Sequence, residues 1–195
     1  MADDETVRSW TMKGLPTDDF SAENGVFVTK GLRWALNIDP QTQAFKWIKS
    51  MYGSDLVVAE PKDPKYMKKI IDCIRRGNIC LFRDVNEYLD PTLDNILAKN
   101  VTKITSSKAL VKVGEAEYEW NNKFRLFITT RMSNPHYTPE ISTKVAVVNF
   151  CVKESGLEDQ CLGIVVKSEQ PQLEESRNEI ITKIAENNRQ IKQCE

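Results

Sequence analysis

An α/β fold with a parallel sheet held between helices is what this 195-residue sequence predicts. Three observations carry that expectation. Ile79-Cys80-Leu81-Phe82 is a continuous apolar run, as expected of a strand covered on both faces, and Phe124 to Thr130 and Val145 to Phe150 read as two further strands, the first of them buried-looking. Between such runs, apolar residues recur at helical spacing. The resulting order is strand, helix, strand, helix, apolar strand, helix, polar-tipped strand, which is the order of a P-loop-type nucleotide-binding core.

The elements follow in sequence. Residues 3–12 can form a short amphipathic helix with Val7 and Trp10 on one side, broken by Gly14-Leu15-Pro16. Asp18-Asp19-Phe20-Ser21 offers helix caps, and Asn24-Gly25 is expected to interrupt the chain before Val26-Phe27-Val28. Residues 1–32 thus read as an N-terminal arm on a core of residues 33–155. Trp34-Ala35-Leu36-Asn37-Ile38 is the first strand. A helix over residues 41–51 follows, with Asp39 at its N-cap and Pro40 at its first position, where a missing N–H costs nothing. Ala44, Trp47, Ile48 and Met51 form its apolar face.

Leu56-Val57-Val58-Ala59 is the second strand. Asp63-Pro64 opens a helix whose inner face is Tyr66, Met67, Ile70, Ile71 and Ile74, stopped by Gly77-Asn78. After the Ile79–Phe82 strand, Asp90-Pro91 starts a third helix carrying Leu93, Ile96 and Leu97. Alternating segments at 109–113 and 116–120, with Gly114-Glu115 between them, read as a small β-hairpin insertion. The runs from Phe124 and Val145 complete a five-stranded set.

From Gly156 the character changes. Leu157 to Val166 reads as helix, and Pro171 restarts a helix in which Leu173, Arg177, Ile180, Ile184, Asn187 and Ile191 follow 4-3-4-3-4 spacing. That is a coiled-coil seam with two polar members, and a seam needs a partner strand. Leu173, Ile180, Ile184, Asn187 and Ile191 are the expected interaction residues, so residues 156–195 are expected to belong to something larger.

Composition excludes several classes. With 27 Lys+Arg against 28 Asp+Glu, the net charge of −1 argues against strong nucleic-acid binding and against an anionic-membrane surface. The five cysteines, Cys73, Cys80, Cys151, Cys161 and Cys194, form no CxxC pair, so free thiols in a reducing compartment are expected. The acidic start lacks an apolar signal core, which points to the cytoplasm. His136 stands between Pro135 and Tyr137 with no Cys or second His at ligand spacing, so no metal site is expected.

The informative motif is a negative one. A working phosphate loop needs GxxxxGK[ST], in which glycines bare the backbone N–H groups and lysine reaches the phosphates. At that position this chain has Asp39-Pro40-Gln41, and no glycine anywhere precedes Lys-Ser or Lys-Thr. Asp39 would cap the N–H groups itself and put a carboxylate where the helix dipole would attract phosphate. Arg83-Asp84 after the third strand has the outline of a magnesium-holding acid, yet pairing of Asp84 with Arg83 or another base is expected instead. Thr129-Thr130-Arg131 ends the fourth strand where a phosphate-sensing residue would stand, and is expected to hold the following loop. Asp39, Pro40, Gln41, Asp84 and Thr130 are therefore degenerate nucleotide positions. No cofactor, catalytic residue or metal is expected.

Several stretches together resemble the dynein heavy chain family, in its fifth AAA+ module and with wording nearest axonemal members. They are Gly14-Leu15-Pro16-Thr17-Asp18, Glu23-Asn24-Gly25, Arg33-Trp34, Ile38-Asp39-Pro40-Gln41, Gln43-Ala44 and Trp47-Ile48-Lys49. Asp90-Pro91, Asn134-Pro135-His136-Tyr137, Gly156-Leu157-Glu158-Asp159-Gln160, Gly163-Ile164-Val165-Val166 and Leu173 to Asn178 continue the match. The resemblance implies an AAA+ large subdomain lacking nucleotide motifs, followed over residues 156–195 by the start of a small subdomain and the first helix of a buttress coiled coil that props the microtubule-binding stalk. It implies neighbouring AAA+ modules and the stalk as partners, contact with the microtubule only indirectly, and a place in the cytoskeleton of a cilium or flagellum. Family members are giant chains, so 195 residues alone are not expected to be a motor or an enzyme. Two alternatives stand beside this. One is weak nucleotide binding through Asp84 and Thr130. The other is a free-standing interaction protein that docks through its last helix.

Overall fold

The computed structural model describes residues 3–16, 18–103, 109–152 and 154–170, and beyond them only Gln172, Ser176, Glu179, Ile180, Lys183, Ile184 and Asn187. Its centre is a five-stranded, wholly parallel sheet built from β1 (Trp34–Ile38), β2 (Leu56–Ala59), β3 (Ile79–Phe82), β7 (Arg125–Thr130) and β8 (Val145–Asn149). The spatial order is β2-β3-β7-β1-β8, consistent with an AAA+ large subdomain. Leu36 of β1 sits opposite Ile128 of β7 and Val147 of β8.

Burial on both faces explains why the inner strands β1, β3 and β7 are largely apolar without alternation, while the edge strand β8 leaves Val147 exposed. Successive side chains point to opposite faces of a sheet. Cys80 and Phe82 accordingly join one core with Leu36, Ile70, Ile74 and Ile128, while Leu81 joins another with Ala35, Trp47, Ile48 and Phe127. The first core is covered by α4 (Tyr66–Arg76), the second by α3 (Gln43–Tyr52) and by the arm helices α1 (Asp4–Met12) and α2 (Asp19–Lys30).

α2 differs from the sequence expectation. Asp18 caps it through Ser21, at 2.9 Å to the backbone nitrogen and 2.8 Å to the hydroxyl. The helix then runs straight through Asn24-Gly25 instead of breaking there. Gly25 is a packing residue: a Cβ at this position would lie 2.7 Å from the Trp10 ring of α1. Asn24 is a tether, donating from Nδ2 to the Asn149 carbonyl of β8 at 2.7 Å.

The helix begun by Asp90-Pro91 is a 3₁₀ turn over Pro91–Leu93 joined to the short α5 (Asp94–Leu97). The hairpin occupies the expected residues as β5 (Ala109–Val113) and β6 (Ala116–Trp120), and β4 (Val101–Lys103) adds a third strand. This small antiparallel sheet is anchored by Val111 and Val113 in the first core. Two further helices are α6 (Pro139–Lys144), absent from the sequence expectation, and α7 (Glu154–Glu169). Among the described residues Cys73, Cys80, Cys151 and Cys161 are free thiols, and no helix is long and apolar enough to cross a membrane.

Candidate functional site

In open parallel α/β sheets, ligands bind beyond the carboxyl ends of the strands. Here that edge carries the loops after β1, β3 and β7, so Asp39, Asp84 and Thr130 arrive side by side. The register puts Ile38 beside Thr130, and the Asp39 amide donates to the Thr130 carbonyl at 2.8 Å. Behind β3, Val85 donates to the Thr129 carbonyl at 3.1 Å. The three positions thus share one site.

Asp39 is almost wholly buried, and its role is more thorough than a simple N-cap. α3 begins at Gln43, not at residue 41, and Pro40 lies in the preceding turn rather than at the first helical position. The chain after β1 closes a tight turn, with Thr42 N–H donating to the Asp39 carbonyl at 3.2 Å. Thr42 then takes a left-handed conformation, φ 60°, ψ 28°, which delays the helix. Asp39 compensates by reaching over the turn. Its Oδ1 accepts from Gln43 N–H at 2.7 Å and its Oδ2 from Phe45 N–H at 2.9 Å. The open amides of a helix start, which would otherwise face an anion, are closed by a carboxylate of the same chain.

The electrostatics are a contest. Burial pushes the Asp39 carboxyl above the usual range, and hydrogen bonds from Phe45, Gln43 and Ala44, with the Lys46 charge, pull it back. The Cys151 thiol beside it is pushed up by burial, and the Asp39 carboxylate adds to that rise. An incoming phosphate would therefore meet occupied donors and a like charge.

Asp84 is occupied as well. Its Oδ2 accepts from Arg131 at 2.7 Å, and its Oδ1 lies 3.6 Å from Arg83 Nε. Arg83 also faces Glu60 at 3.6 Å and lies over the Phe45 ring at 4.3 Å. Asp84 itself has φ 58°. Thr130 is fully buried and its hydroxyl accepts from Met132 N–H at 3.2 Å, which shapes the loop that follows. That loop is tied to the β3 side where His136 N–H donates to Glu87 Oε1 at 2.7 Å. The sequence predicts a base on Asp84 without saying that it is Arg131, and the Arg83–Phe45 and Glu87–His136 contacts have no signal in it, because residues so far apart along the chain meet only once the strand order is known. Among the described residues no group of His, Cys, Asp or Glu has the arrangement to hold a metal ion.

A cleft of about 240 Å³ remains beside the site, between the start of α2 and the chain after β8. It is lined by Asp18, Asp19, Asn24, Gln43, Phe150 and Cys151 among others, with no Lys or Arg among the described residues of its wall. That volume is below the ~300–1,000 Å³ usual for small-molecule sites. Of the expected seam residues, Ile180, Ile184 and Asn187 are helical and exposed, Ile180 at 56% and Ile184 at 44%. Leu173, Arg177 and Ile191 lie outside the described residues.

A family model described as the ATP-binding dynein motor region matches residues 8–195. The chain belongs to that dynein motor family. Dynein axonemal heavy chain 2 of Homo sapiens is 48% identical to it over 190 residues, covering 97% of this chain and 4% of that protein. Dynein-1-beta heavy chain of the flagellar inner arm I1 complex of Chlamydomonas reinhardtii is 46% identical over 187 residues, 95% of this chain and 4% of that protein. Dynein axonemal heavy chain 1 of Homo sapiens is 43% identical over 190 residues, with 97% and 4% covered. The chain thus spans about 4% of the length of the curated dynein heavy chains it matches. Within this chain, the amides at the start of α3 are closed by Asp39.

Proposed function

We propose that this chain is a non-catalytic AAA+ module of an axonemal dynein heavy chain, the fifth of the motor ring, acting as a structural relay between ring and stalk. The observation that carries the reading is the Asp39 carboxylate lying on the Gln43 and Phe45 amides, where a nucleotide's phosphate would otherwise bind. Asp84, held by Arg131, and Thr130, turned to the Met132 amide, support it. Residues 33–155 form the rigid part of this relay and residues 156–195 its output. Ile180, Ile184 and Asn187, with Leu173 and Ile191, supply the contacts of the buttress helix. The partners are the neighbouring modules and the stalk, the microtubule is reached only through them, and the setting is the axoneme of a cilium or flagellum.

Titration calorimetry with ATP–magnesium tests the non-catalytic half of this reading. No saturable heat up to about millimolar nucleotide is expected, because the N–H donors are occupied and no phosphate-loop lysine is present. Saturable binding tighter than roughly 1 mM, about −4 kcal/mol, would overturn it in favour of a weak nucleotide-binding module.

A further inference from the structure

At the opposite edge of the sheet, where the parallel strands begin, lies a second and larger cleft of about 430 Å³. The β1 and β7 starts, the end of α2 and the turn after α5 enclose it. Ala35, the wall residue nearest Asp39 along β1, is four residues and so about 13 Å from it, which separates this cleft from the Asp39 site. Its wall contains Lys30, Arg33, Lys99 and Arg125, and no acidic residue among those described. In a chain of net charge −1, four cations round one concavity are a strong local excess.

Two of these cations are held in place rather than loosely solvated. Lys99 Nζ lies 3.7 Å over the centre of the Trp34 ring and donates to the Leu32 carbonyl. Arg125 donates to the Thr29 carbonyl at 3.2 Å. Trp34 is itself fixed, through Nε1–H to the Ile96 carbonyl at 2.8 Å, and packs edge-on against Phe124 with centroids 5.7 Å apart. Trp120 completes the aromatic wall. Among the described residues, Arg33, Lys99 and Arg125 have no carboxylate partner. Burial and the neighbouring Arg125 charge both lower the Lys99 pKa, as crowding of cations does. Beside the cleft, Leu32 stands 91% exposed between the lining residues Gly31 and Arg33.

The geometry points to a docking site for an acidic segment of a protein partner, whose carboxylates are received by Arg33 and Arg125 and whose aliphatic residue rests on Leu32. Charge complementarity selects the acidic character, since cations gathered in a concavity gain most from an anion that desolvates with them. The aromatic walls and the single protruding leucine select a peptide over a membrane, which presents a plane to a surface and not side chains to a concavity. They also select against a phosphate, which has no apolar part to cover Leu32. Each arginine fork suits one carboxylate, held through two parallel hydrogen bonds.

The test uses the 195-residue chain and a fluorescein-labelled glutamate–leucine heptapeptide, read by anisotropy at low and moderate salt. Saturable binding that weakens with salt is expected, and the peptide with glutamine for glutamate should not bind. The Arg33→Ala/Arg125→Ala double variant should lose about tenfold in affinity, as two partly exposed charge pairs contribute. Both positions are exposed, and an unchanged circular dichroism spectrum confirms that the variant folds. Arg33→Glu/Arg125→Glu should in turn prefer a lysine–leucine peptide. Absence of binding at about 1 mM peptide overturns the proposal, as does equal binding by the double variant. Complete displacement by inorganic tripolyphosphate would reassign the cleft to a phosphate ligand. Binding to phosphatidylserine vesicles without peptide binding would reassign it to a membrane.

Discussion

Replacing Asp39 by asparagine keeps the side chain's shape but turns one of its two acceptors into a donor facing a backbone N–H. A loss of about 2 kcal/mol is expected, the cost of stranding a half-buried amide that had a charged acceptor. The pH dependence has a definite sign. Burial holds the folded-state pKa of Asp39 above its unfolded value, so the folded protein binds this proton more readily. The stability from this titration is present at low pH and is lost as pH rises through the folded pKa. Asparagine cannot titrate, so in urea denaturation the variant's deficit should widen as pH falls through the raised folded-state pKa of Asp39. Asp90 behaves in the opposite sense. Hydrogen bonds from the Thr92 hydroxyl and amide and from Tyr66 hold its carboxyl below the usual range, so its contribution is lost as pH falls. Burial first, and the same Asp90 contact second, push the Tyr66 phenol up to about 12. Thr42 gives a further prediction for a single residue. A β-branched side chain at φ 60° is strained, and Thr42→Gly should raise stability by about 0.5–1 kcal/mol in thermal denaturation, net of the freedom glycine adds to the unfolded chain.

Among the secondary-structure elements, the junction of α1 with α2 depends on an absent side chain. Gly25→Val would drive methyl groups into Trp10, which packs edge-on against Trp47 of α3 with centroids 5.7 Å apart. Displacement of α1 and a loss of about 2 kcal/mol or more are expected, with a change in tryptophan fluorescence reporting it. Asn24-Gly25 also shows where local signals mislead. Read locally they are turn residues, yet α2 absorbs them because tertiary packing uses both side-chain positions. Asn24 holds β8, and Gly25 admits a ring. The start of α3 obeys the same logic. Asp39-Pro40 has the look of a cap and first turn, but the left-handed Thr42 shifts the helix two residues on. The capping function survives because a carboxylate can span the turn. Strands β1, β2, β3, β5 and β6 match their apolar or alternating runs residue for residue, since burial on one or both faces writes itself into composition. β4 and α6 are too short to leave a period, so no pattern along the chain marks them.

For the chain as a whole, the relay reading gives the exposed helix residues Ile180 and Ile184 a reason outside these 195 residues. In the full-length heavy chain, a cysteine introduced by Ile184→Cys should react with a maleimide at least about tenfold more slowly than in the 195-residue chain, because a seam residue is covered by its partner strand. Equal labelling rates would remove the seam from the relay. The two edges of the sheet have opposite characters. The carboxyl edge is sealed by Asp39 and by the Asp84–Arg131 pair, while the amino edge keeps an open basic cleft.

Residues adjacent in the chain were enough to establish the α/β class, the strands of the main sheet, the missing phosphate loop and membership of a dynein motor region. Each of these rests on a local run or motif, and such patterns survive in one dimension. Folding had to supply the rest: the Asp39 bridge to Phe45 across a left-handed turn, the assignment of Asp84 to Arg131, and the gathering of Lys99 and Arg125 beside Trp34. Most of those contacts join segments far apart in sequence, and the order in which parallel strands assemble is what brings them within reach of one another.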